Sequence, residues 1–120
     1  MKILYIHGLS SSGNSGTAEH LRRLLPNDTI FSPDLPIEPM VLKRLVKEEK
    51  INLVIGTSMG GMFAQKLQGT YKILVNPSLH VSRSMRCKLG INRFFSERQD
   101  GISEYEITPE LCDRYEELEQ

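Results

Sequence analysis

At 120 residues and 13.7 kDa, the chain is long enough to bury one modest core and too short for a second, so a single domain over residues 1–120 is expected. Its 15 basic and 15 acidic side chains cancel, and the isoelectric point near 6.8 argues against the electropositive surface that binds nucleic acid or an anionic membrane. No run approaches the roughly 20 apolar residues that span a bilayer, and Cys87 and Cys112 form neither a C-x-x-C pair nor a disulfide framework, so the expected address is the cytoplasm.

The first apolar run, KILYI at 2–6, predicts a strand; it is too short for a signal-peptide core and His7-Gly8 interrupts it. The loop that follows, IHGLSSSGNSG at 6–16, turns at Gly8 so that the N–H of Leu9 can face a developing oxyanion, while His7 reads as a brace for the loop rather than a base. Gly8 to Gly13 has the glycine spacing of a phosphate cradle. Asn14-Ser15 nevertheless stands where Lys followed by Ser or Thr is required, which removes the cation a nucleotide-binding reading needs.

A helix follows with Ala18, Leu21, Leu24 and Leu25 on one face and His20 on its polar side. TIFS at 29–32 predicts a second strand, then Pro33-Asp34, then a short helix from Met40 to Lys50 whose apolar face is Val41, Leu42, Leu45 and Val46. INLVI at 51–55 predicts a third strand, a glycine-flanked turn carries Ser58, and a helix with Met62, Phe63 and Leu67 runs to Gly69. YKILV at 71–75 predicts a fourth strand. From Arg83 to Gly101 short helices and loops are expected around an apolar island at Ile91, Phe94 and Phe95. Thr108-Pro109 then starts a helix with Leu111, Tyr115 and Leu118 on one face.

Strands that are apolar throughout, separated by helices, indicate an α/β fold with a parallel sheet covered on both sides. Right-handed crossovers bring the C-terminal ends of the strands, and with them His7, Asp34, Ser58 and Pro77 to His80, to one rim. On that rim Gly56-Thr57-Ser58-Met59-Gly60 fits G-x-S-x-G, a strained strand-to-helix turn that displays a nucleophilic serine. Glycines two residues to either side avoid collision across the turn, and the N–H of Met59 is a second candidate oxyanion donor. No cofactor or metal is expected, because no cluster of His, Cys and carboxylates has ligand spacing.

The blocks IHGLSSSGNSGTAEHL, SPDLPIEP, LVIGTSMGGMFAQKL and ILVNPSLHV resemble, in this order, those of the YqiA-like esterases, small bacterial α/β-hydrolases. The likeness covers residues 1–81 well, and residues 82–120 resemble the family's helical insertion loosely. The resemblance implies strand order 2-1-3-4, Ser58 as nucleophile with oxyanion donors at Leu9 and Met59, and an acyl ester or thioester as substrate. An apolar pocket lining by Leu9, Met59, Met62, Phe94 and Phe95 is expected to favour a small or straight acyl chain over a charged substrate. In the family the catalytic acid and histidine follow further strands, so those roles are expected beyond Gln120. His80, oriented by Asp34 or Glu38, is the internal alternative base. The order also leaves YKILV as an apolar sheet edge, open to homodimer pairing. The rival to a serine carboxylesterase or thioesterase is a catalytically incomplete binding or interaction module on the same fold.

Overall fold

The computed structural model describes residues 1–35, 43–95 and 97–119, and of Lys43 the backbone only. Four parallel strands, β1 (Lys2–Ile6), β2 (Thr29–Phe31), β3 (Leu53–Thr57) and β4 (Tyr71–Val75), form one sheet in the order β2-β1-β3-β4. Helices α1 (Gly16–Leu24), α2 (Lys43–Glu48) and α3 (Met59–Lys66) connect them. Then follow α4 (Val81–Arg86), an antiparallel pair β5 (Gly90–Arg93) and β6 (Glu104–Ile107), and α5 (Pro109–Glu119).

β1 is central and apolar throughout, so its alternate side chains enter two different cores. Leu4 and Ile6 join Val54 beneath α3, α4, α5 and the β5–β6 pair, whereas Ile3, Tyr5 and Ile55 pack with Ala18 of α1 on the opposite face. Register carries this through the sheet: Leu4 lies opposite Val54, and Tyr5 opposite Ile55.

Several boundaries differ from those expected. β3 begins two residues late, at Leu53, because Asn52 is drawn aside: its N–H donates to Lys2 O at 2.8 Å and its Oδ1 accepts from Lys2 N at 2.7 Å. Leu24 is 63% exposed, since it lies well off the face shared by Ala18, Leu21 and Leu25 at 100° per residue. α3 ends at Lys66, before Gly69; Leu67 turns extended to bury its side chain, and Gly69, at φ 80°, serves the turn into β4. Within the expected Met40–Lys50 helix, Leu45 and Val46 pack on the main core as proposed, while Met40, Val41 and Leu42 lie outside the described residues.

The larger correction concerns the helical, insertion-like segment after residue 81, where short helices and loops are expected and no strand. It contains the β5–β6 pair, in which Tyr105 and Ile107 point inward while Glu104 and Glu106 face out. Thr108 caps α5 as expected, its Oγ1 accepting from Leu111 N at 3.1 Å, and Leu111 and Tyr115 are buried. Some charges from residue 81 onward pair within the segment. Arg86 on α4 binds Asp113 and Glu116 on α5, and Arg93 on β5 lies 3.7 Å from Glu104 on β6.

Candidate active site

Ser58 stands between the end of β3 and the start of α3 with φ 53° and ψ −118°. That pair belongs to the first central position of a type II′ turn, where glycine is the ordinary occupant. A serine held there stores strain on the order of 1–3 kcal/mol. The backbone holds it from three sides: Ser58 N donates to Val75 O (3.1 Å), and Ser58 O accepts from Gly61 N (3.0 Å) and Ser78 N (2.8 Å). The side chain is exposed, and among the described residues its Oγ has no hydrogen-bond partner.

The flanking glycines are sterically required. A Cβ on Gly56 would overlap the carbonyl oxygen of Gly60, and one on Gly60 would overlap that of Ile6. A Cβ on Gly61 would come within 2.7 Å of Pro77 Cβ. The turn therefore packs directly on the end of β1 and on the loop after β4. Gly8 faces the serine: a Cβ added there would lie 3.4 Å from Ser58 Cβ and 3.8 Å from Oγ.

Leu9 occupies the turn from Gly8 to Ser11, closed by Ser11 N donating to Gly8 O at 3.2 Å, with Ser10 at φ 65°. His7, 2% exposed, braces that turn as its sequence position suggested. Its Nε2 accepts from Leu35 N at 2.8 Å, which leaves Nδ1 to donate to Gly8 O at 2.7 Å. Burial pushes its pKa below the usual histidine value; the Gly8 bond opposes this, and Arg98 adds to it. A neutral imidazole so engaged is a brace and not a base.

The residue that sequence reasoning missed is Arg98. It lies in FFSERQDG, a polar stretch that reads as solvated, yet it is 5% exposed with Cζ 4.1 Å from the centre of the Phe94 ring. The carboxylate of Asp100 accepts from it at 2.8 Å, and those bonds, with one from Ile102 N, hold the Asp100 carboxyl below the usual range. Residues flanking Arg98 make further ties to the loop after β1. Phe95 N donates to Ser10 O (2.7 Å), Ser12 Oγ to Glu97 O (3.1 Å), and the Ser10 and Tyr105 hydroxyls are hydrogen-bonded.

The expected pocket lining is only partly present. Met59 and Met62 are buried in the main core, so the candidate contribution of Met59 is its backbone N–H. Leu9 and Phe94 are half-buried, and Phe95 is 82% exposed. His80 is exposed, makes no side-chain bond at the start of α4, and has no hydrogen bond to Ser58 among the described residues. Asp34 is engaged elsewhere: its carboxylate accepts from Gly13 N (2.7 Å) and Asp100 N (3.0 Å). Glu38 lies outside the described residues. Among those residues no group of three His, Cys, Asp or Glu side chains is placed to hold a metal, and no helix is long and apolar enough to cross a membrane.

A four-stranded parallel sheet flanked by helices, with a strained serine turn at a strand end, places the molecule in the α/β class. The chain belongs to the uncharacterised protein family UPF0227, known as the YqiA-like esterases, whose family model matches residues 2–113. No curated protein matches it.

Proposed function

We propose that the protein is a serine hydrolase, a carboxylesterase or thioesterase acting on small or straight-chain acyl esters. The observation that carries this reading is Ser58 itself, exposed at φ 53° on the C-terminal rim of a parallel sheet, where strain aims a side chain at a ligand. Ser58 Oγ attacks the acyl carbonyl, and the N–H groups of Leu9 and Met59 receive the oxyanion. The tetrahedral adduct expels the alcohol or thiol and leaves an acyl-enzyme, which water hydrolyses to the free acid. The proton of Ser58 passes to a base, for which His80 is the candidate within this chain. Two free thiols, Cys87 and Cys112, suit the cytoplasm as the place of action.

A fluorophosphonate probe tests the reading. The expected result is covalent labelling that Ser58→Ala abolishes and His80→Ala reduces if that histidine is the base. A folded chain that takes no label, or takes it equally after Ser58→Ala, overturns the assignment. One observation favours a second reading as a homodimeric interaction module: every residue of β4 is exposed, at the open edge of the sheet.

A further inference from the structure

We infer that Arg98 is the positioning residue of this site, setting where the Leu9 N–H stands relative to Ser58; the role assigned to Leu9 rests on the hydrolase reading above. The guanidinium is a planar fork, and here its directions are divided among three separate segments. Nη1 donates to Ser11 O at 3.0 Å, two residues beyond Leu9. Nη2 donates to Leu35 O at 2.8 Å, in the segment after β2, and also to Asp100 Oδ2 at 2.8 Å. Nε donates to both oxygens of Asp100, at 3.1 and 3.2 Å.

Leu35 makes the arrangement a relay. Its carbonyl accepts from Arg98, its N–H donates to His7 Nε2, and His7 Nδ1 donates to Gly8 O. The turn carrying Leu9 is thus gripped at Gly8 through His7 and at Ser11 through Arg98 directly. Asp34 reinforces the grip from beneath by accepting from Gly13 N and Asp100 N. Burying a guanidinium costs desolvation that a surface residue avoids, and Asp100 is the charge beside it. Lysine, a point charge on a flexible stem, cannot hold the same three directions.

The test compares Arg98→Met and Arg98→Lys with Arg86→Met, which removes a surface ion-pair cluster between α4 and α5 and leaves the loop untouched. Two quantities are read on the folded chain: the maximal rate and half-saturation concentration of fluorophosphonate labelling at Ser58, and amide hydrogen exchange over residues 8–14. Both Arg98 variants are expected to lose about 10- to 100-fold in maximal rate, as for a displaced oxyanion donor. Half-saturation should stay within about twofold, exchange over 8–14 should accelerate, and Arg86→Met should match wild type. Wild-type labelling by the Arg98 variants, or a loss confined to half-saturation, overturns the inference. Should Arg98→Met not fold, Arg98→Lys decides. If wild type takes no label, the hydrolase reading falls, and exchange over 8–14 in Arg98→Lys decides the positioning claim: faster exchange supports it and wild-type protection refutes it.

Discussion

Ser58 and His7 act in opposite senses on the stability of one small region. Ser58 costs stability, since its left-handed backbone is the conformation a glycine would adopt freely. Ser58→Gly is therefore expected to raise the unfolding free energy by about 1 kcal/mol while abolishing probe labelling, as equilibrium denaturation and mass spectrometry would show. An unchanged or lower unfolding free energy would remove the claim of stored strain. His7 contributes through neutrality: its Nε2 must keep a lone pair for Leu35 N, and burial lowers its pKa beneath the ordinary histidine value of 6.5. The unfolded imidazole takes up a proton below pH 6.5 while the folded one resists, so this contribution is complete above 6.5 and is lost as the pH falls toward the folded value. Between about pH 7 and pH 5 the denaturation midpoint of wild type should fall more steeply than that of His7→Asn; parallel profiles would count against a neutral His7. The brace itself is readable from a histidine at a strand end. Arg98 is not, because nothing in a polar stretch says that it will be covered by Phe94.

At the level of elements, close approach and capping explain what the sequence discloses. KILYI, TIF and YKILV form strands because each is apolar at successive positions, and Thr108-Pro109 starts α5 because both residues suit a helix entry. The β5–β6 pair escapes a sequence reading for two reasons. Its alternation is short, four residues in EYEI, and a ten-residue connection at 94–103 replaces the tight glycine turn by which hairpins are recognised. Glycines of α3 and α1 give the sharpest contrast. Gly60→Ala drives a methyl group into the carbonyl of Ile6 and should cost about 3 kcal/mol, whereas Gly16→Ala, with open space around it in the first turn of α1, should stabilise by about 0.5 kcal/mol. Thermal denaturation of both variants checks the pair; tolerance at Gly60 would mean that α3 does not sit directly on β1.

For the whole molecule, the two sheet edges contrast in length and exposure. β2 is only three residues long, with Ile30 and Phe31 half-buried, whereas β4 offers five exposed residues with Tyr71, Ile73, Leu74 and Val75 open to water. Such an edge templates pairing with another strand. Sedimentation of the wild-type chain should show mass rising with concentration, and Ile73→Lys should hold it monomeric; a monomer at the highest soluble concentration would exclude self-pairing. Two exposed arginines after residue 81, by contrast, are paired within their own segment, Arg86 with acidic partners on α5 and Arg93 with one on β6. The same segment is also tied to the loop after β1: the Ser10–Tyr105 bond joins residues 95 apart, and the Arg98–Ser11 bond residues 87 apart. The loop that faces Ser58 thus leaves the ribosome well before the clamp and cannot take its final shape until the clamp has been synthesised. At about 5–20 residues per second the clamp follows the loop by roughly 4–20 s and the serine turn by roughly 2–8 s, and over that shorter interval the nascent sheet carries its serine turn with the opposing loop unset.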